Sequence, residues 1–150
     1  MPLRTPQSVT ATLTRPRWFG PVPTEASGRT PAVTTLLIGG AGLAGVLARY
    51  GLSRLTLHTE ALIWTTVGIN VVGSFLLGVL AAEHWFSRDL REAIGVGFLG
   101  GFTTFSTFSV QIVLEGDGGR TDKAAAYLLA SVLGGVAAAA AGFALGRKLA

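Results

Sequence analysis

Four long runs without a charged residue govern what this chain can fold into. Thr30–Ala48, Ala61–Ala82, Ala93–Leu114 and Ala124–Gly146 hold 19, 22, 22 and 23 residues, each bracketed by charges. A helix rises about 1.5 Å per residue, so each run reaches across roughly 30 Å of hydrocarbon. A soluble four-helix bundle needs a charged face on each helix, and none is visible. Only 13% of the 150 residues are charged, about half the share of roughly 25% usual in soluble domains. Trp64, Trp85 and Phe86 fall near run ends, where interfacial aromatics belong. The expectation is an all-α membrane protein of four transmembrane helices.

Residues 1–31 read differently. All six prolines lie there, with Arg4, Arg15, Arg17 and Arg29 against one acid, Glu25. Prolines at that density forbid a continuous helix, and no apolar run of signal-peptide length precedes Pro31. The expectation is a disordered tail over 1–31 and a four-helix domain over 32–150. Without the tail, the loops on one side carry Arg88, Arg91, Arg147 and Lys148. Those on the other side carry Arg49, Arg54, Arg120 and Lys123. That balance gives the core no preferred orientation, whereas the tail arginines favour a cytoplasmic N-terminus.

The third run is poor helix material at its centre. Gly95, Gly97, Gly100 and Gly101 fall within seven residues, and Thr103, Thr104 and Thr107 follow. Glycine costs about 1 kcal/mol relative to alanine in a helix interior. A break near Gly100–Thr103 is expected, buried by protein because lipid offers no hydrogen-bond partners. Such breaks expose carbonyls and amides that bind ions. Beyond it, Phe105 and Phe108 share one helical face, with Ser106 and Thr107 between them. These side chains either line a path for a small desolvated ion, or serve as lipid-facing bulk and local hydrogen bonds.

Other spans carry polar residues in register. Thr66, Asn70 and Ser74 follow one face of the second run, and Tyr127 and Ser131 one face of the fourth. From the residues alone, the Asn70 amide serves either a neighbouring helix or a passing anion. Arg49 ends the first run, as a snorkelling interfacial arginine or as an attractor of anions. Gly97/Gly101 and Gly142/Gly146 are GxxxG pairs suited to close helix approach. Four short helices enclose an ion path with difficulty, so an oligomer is expected.

Enzyme chemistry finds no support. His58 and His84 sit in different loops without metal-ligand spacing, there is no cysteine, and no carboxylate lies inside any of the four runs. The missing carboxylate also disfavours a proton-coupled exporter of organic cations, the main competing function, and the other is a membrane scaffold whose glycines only pack. The basic residues are scattered, which argues against nucleic-acid binding.

The segment GFLGGFTTFSTF at Gly97–Phe108 resembles the signature of the Fluc family of small fluoride channels, and the likeness extends from about Thr34 to the C-terminus. The resemblance implies a fluoride-selective channel of the cell membrane. It would export fluoride passively, as an antiparallel homodimer with dual topology and a broken third helix. It further implies that Asn70 lines the pore, and that Tyr127 and Ser131 face the anion path. Arg49 would make a vestibule positive, and the carbonyls of Gly100 and Thr103 would hold a structural sodium ion between subunits. One departure is visible: Gly135 stands where the family continues the fourth-helix polar track.

Overall fold

A computed structural model describes residues 31–56 and 59–150. The expected N-terminal tail, apart from Pro31, lies outside the described residues. Every regular element within them is helical: α1 (Pro31–Leu55), α2 (Thr59–Ala82), α3 (Arg88–Glu92), a π-helical run (Ala93–Leu99), α4 (Gly100–Phe102), α5 (Ser106–Asp117) and α6 (Thr121–Leu149). Four spans are long and apolar enough to cross a membrane: Ala32–Leu55, Ala61–Ala82, Arg88–Asp117 and Thr121–Leu149. The third is the composite from α3 to α5. Its interruption after Phe102 falls at the expected place.

The helices overrun the charge-free runs, which corrects two expectations. Arg49 does not end the first span, because α1 continues to Leu55. The third span continues to Asp117 and so carries a buried carboxylate, Glu115, 4% exposed. Each charge has a partner that makes its position tolerable. Arg49 Nε donates to the Gly101 carbonyl at 3.2 Å. Glu115 accepts from Arg120 Nε at 2.5 Å and from Arg120 Nη2 at 3.1 Å. The turn that brings Arg120 back passes through Gly119 at φ 75°, a left-handed conformation that glycine adopts without penalty.

At the opposite end of the molecule, Glu83 is 1% exposed and organises the turn from α2 into α3. Its carboxylate accepts the Trp85 and Phe86 N–H groups at 2.7 and 3.1 Å and Arg91 Nε at 3.3 Å. Ser87 caps α3 through the Leu90 N–H, satisfying one orphan donor. Thr34 of α1 donates to Asp89 of α3 at 3.0 Å.

The break lets one span serve two neighbours. Its first half, the π-helical run and α4, lies along α1; its second half, α5, lies against α6, which pairs along its length with α2. Both GxxxG pairs are spent within the chain. A Cβ at Gly97 would stand 2.6 Å from Ile38 O, and one at Gly101 2.5 Å from Gly42 O, both on α1. A Cβ at Gly146 would stand 2.6 Å from Val79 O, and one at Gly142 would strike Phe75 O, both on α2. Backbone-to-backbone approach of this kind replaces the hydrophobic drive that lipid removes.

Candidate functional site

The break is built by diverting two backbone donors. Thr103 leaves the helical region with φ −79° and ψ 160°, after its own N–H and Oγ1 have both bonded the Leu99 carbonyl, at 3.0 and 2.9 Å. In an unbroken helix the Thr104 N–H would bond Gly100 O, and the Thr107 N–H would bond Thr103 O. Instead, the Thr104 N–H goes to Asn70 Oδ1 at 2.8 Å. The Thr107 N–H goes to Thr104 Oγ1 at 3.3 Å. The carbonyls of Gly100 and Thr103 are thereby released from the ladder.

Asn70 closes the clasp from its other end, Nδ2 donating to Thr104 O at 2.9 Å. A two-point amide contact fixes the interruption from α2, and no shorter polar side chain offers both a donor and an acceptor in that fork. Thr104 also does the work of a helix cap for α5, where Phe105 makes no side-chain cap bond. Its hydroxyl also bonds Thr107 Oγ1 at 3.2 Å and lies 3.4 Å from Ser106 Oγ. The hydroxyls of Ser106 and Thr107 are thus gathered around Thr104. Asn70, Gly100, Thr103 and Thr104 share, with Ser74 and Phe105, the lining of a 240 Å³ cavity at the break.

The two phenylalanines diverge. Their rings are 5.7 Å apart, yet Phe108 is 5% exposed and Phe105 77% exposed. Phe108 meets Tyr127 edge-on, with centroids 5.1 Å apart and planes at 70°. This is the arrangement in which a positive ring edge faces a negative ring face. Phe108 and Tyr127 form a small core with Ile63, flanked by Val67 and Ile112.

A line of hydroxyls runs beside that core. Tyr127 is 1% exposed, and its hydroxyl donates to Gln111 Oε1 at 2.7 Å. Thr66, buried on α2, donates to Leu62 O at 3.0 Å, and its side chain also meets that of Tyr127. One turn along α6, Ser131 is 8% exposed, and its hydroxyl has no hydrogen-bond partner. A buried polar group left unsatisfied costs about 1–3 kcal/mol, so an orphaned hydroxyl in a helix core asks for a polar visitor. Past Ser131, Gly135 leaves its helix face bare, but Ser74 Oγ of α2 lies 3.6 Å from where a Gly135 Cβ would be. A second cavity, 120 Å³, opens beside Tyr127 and is lined by Trp64, Glu115 and Lys123 among others.

Two contributors escaped the sequence reading. Gln111 is a polar side chain inside the third charge-free run, the same signal that singled out Asn70. Thr104 lay within the motif, but nothing in a sequence shows which of three threonines caps a helix and meets an asparagine 34 positions earlier. Arg49 bonds the Gly101 carbonyl rather than standing apart at a helix end.

Comparison with known proteins places this arrangement. The sequence pattern of the family described as CrcB-like protein, Camphor Resistance (CrcB), matches residues 36–143. A Fluoride-specific ion channel FluC of Sphingopyxis alaskensis is 38% identical over 118 residues, 76% of this chain and 94% of that protein. One from Rhodospirillum centenum is 42% identical over 116 residues, covering 73% and 92% of the two chains. One from Thermus thermophilus is 38% identical over 119 residues, covering 76% and 95%. The matched region holds the break, the asparagine clasp and the hydroxyl line together, and the chain belongs to the CrcB-like protein family.

Proposed function

We propose that this protein is a fluoride-selective channel that lets fluoride leave the cytoplasm down its gradient, working as an antiparallel homodimer. The observation that carries the reading is the orphaned Ser131 hydroxyl, buried one turn from Tyr127 and beside an aromatic core. Fluoride is small and strongly hydrated, so entering a narrow path requires donors in place of water. The Ser131 hydroxyl is such a donor as it stands, the Gln111 amide carries N–H donors, and the Tyr127 and Thr66 hydroxyls, which donate to Gln111 Oε1 and Leu62 O, would turn to the ion as it passes. The ring edges of Phe105 and Phe108 add partial positive charge without chemistry that could trap the ion. A path just wide enough for bare fluoride would exclude the larger chloride by size. The names carried by relatives at 38–42% identity point the same way.

The second copy is inferred from what one chain leaves open. Phe105 is 77% exposed beside the 240 Å³ cavity at the break, and a partner laid across that face would complete its walls. The residues at the break also fit a sodium ion. Two released carbonyls are hard oxygen ligands, and among the described residues no cluster of His, Cys, Asp or Glu offers another kind of metal site. Gly100 O and Thr103 O would hold it with their counterparts in the partner. When bound, it supplies positive potential near the anion path. Asn70 and Thr104 keep those carbonyls out of the helix ladder, and Arg49 occupies the neighbouring Gly101 carbonyl.

The reading is tested by ion efflux from liposomes holding the purified protein. Rapid fluoride release without chloride release is the expected result. A protein that inserts normally yet releases no fluoride is not a fluoride channel, and uptake of organic cations would then favour an exporter.

A further inference from the structure

The hydroxyl line on α6 stops at Ser131, because the next position on that face is Gly135. α2 lies alongside and runs in the same direction. A Cβ at Gly134 would stand 3.3 Å from Val71 Cγ2, and one at Gly146 2.6 Å from Val79 O. Thr66 meets Tyr127 at one level. Eight residues further along each helix, Ser74 Oγ lies 3.6 Å from where a Gly135 Cβ would be. A hydroxyl of α2 therefore stands at the level where α6 has none. Ser74 also differs from Thr66 in what it does with that hydroxyl. Thr66 spends its own on the Leu62 carbonyl one turn back, a common habit of hydroxyls inside helices. Ser74 is half-buried and makes no hydrogen bond among the described residues, so its hydroxyl is available, as that of Ser131 is. Asn70, one turn earlier on α2, is committed at both ends of its amide to Thr104. Finally, the lining of the 240 Å³ cavity at the break includes Ser74 and not Ser131. Ser74 is thus the side chain that touches both the hydroxyl line and the cavity.

We propose that Ser74 is an ion-contacting hydroxyl, which takes fluoride over from Ser131 and delivers it to the cavity at the break. The proposal rests on the fluoride-channel reading. From Ser131 to the level of Gly135 is about 6 Å along the helix axis. Over that step α6 offers the ion only backbone inside a continuous helix, where the N–H groups are already bonded. A donor from the facing helix closes the gap, and each donor withheld from a dehydrated anion raises its barrier. If Ser74 merely fills the notch at Gly135, its oxygen is replaceable by an apolar atom without loss of transport.

The test is fluoride efflux from liposomes, with thermal stability in detergent, for wild type, Ser74→Ala, Ser74→Ala/Gly135→Ser and Ser74→Ala/Gly135→Ala. A wild type that releases no fluoride overturns the channel reading, and the proposal falls with it. Given conduction, Ser74→Ala should slow efflux about tenfold, the scale of one lost donor to an ion, with stability unchanged. A side chain at Gly135 has room, since its Cβ would meet nothing nearer than Ser74 Oγ, at ordinary contact distance. Gly135→Ser therefore returns a hydroxyl to the same level from α6, and that double variant should recover most of the wild-type rate. Gly135→Ala fills the space without a donor, and its double variant should stay as slow as Ser74→Ala. Wild-type efflux from Ser74→Ala would overturn the proposal. So would equal recovery by Gly135→Ala and Gly135→Ser, because volume rather than a hydroxyl would then be what matters. Absence of recovery with Gly135→Ser, in protein of wild-type thermal stability, would also contradict it.

Discussion

The two halves of the third span are held in opposite ways. From Ala93 to Phe102 the chain is fixed by what it lacks: Gly97 and Gly101 lay bare backbone against α1, and the Phe98 and Phe102 rings stack on one another at 5.9 Å. From Ser106 to Asp117 it is fixed by what it carries: Phe108 against Tyr127, Gln111 under the Tyr127 hydroxyl, and Glu115 in the grip of Arg120. The glycine half contributes close packing and backbone carbonyls, those of Gly100 and Gly101, rather than side-chain donors. The polar half presents donors and aromatic edges at the price of buried polar groups that need satisfaction. Asn70 and Thr104 form the joint between them.

The largest expected effect attacks the first half. Gly97→Leu places a side chain where even a Cβ would lie 2.6 Å from Ile38 O, against backbone that cannot swing aside. Overpacking costs about 1–3 kcal/mol, occasionally more. Thermal unfolding in detergent should show a clear loss of stability and flux should fall with it. Normal stability would mean that α1 and the glycine half are not in backbone contact.

Next comes the joint. Asn70→Asp keeps an acceptor for the Thr104 N–H but sets a carboxylate oxygen against Thr104 O, so one arm of the clasp is lost and a negative charge is added. Flux is expected to drop at least about tenfold, equivalent to about 1.4 kcal/mol on the barrier, in protein that still inserts. Asn70→Asp conducting as well as wild type would show that neither the clasp nor the amide matters to the path.

A smaller effect separates the phenylalanines. Phe108→Ile removes a ring from the buried core and should slow flux and lower stability by about 1 kcal/mol, the scale of a modest core repacking. Phe105→Ile, at an exposed position, should slow flux with stability unchanged. Equal stability losses in both would mean that Phe105 is buried in the assembled protein as deeply as Phe108 is within the chain.

The spans were legible because hydrocarbon excludes unpaired charge, and that rule leaves its mark in composition. Their ends were not, since Arg49 and Glu115 are satisfied by partners that only folding supplies, Gly101 O and Arg120. The break was legible from four glycines followed by threonines. The π-helical winding of Ala93–Leu99 before it was not, because no residue type prefers that winding strongly enough to announce it. The candidate path was legible where polar residues recur at helical spacing, as with Tyr127 and Ser131. The Asn70 clasp depends on a contact between distant segments, and residue spacing is silent about it.

Ser131→Ala puts the account to its most direct test, because packing and ion contact predict opposite signs. If the hydroxyl is merely buried, its removal relieves an unsatisfied polar group and leaves transport alone. If it replaces a water on fluoride, its removal takes a donor from the point of dehydration. A fluoride contact at Ser131 predicts unchanged or slightly raised thermal stability together with fluoride efflux slowed about tenfold, the loss expected for about 1.4 kcal/mol on the barrier. Efflux at the wild-type rate from Ser131→Ala liposomes would contradict it.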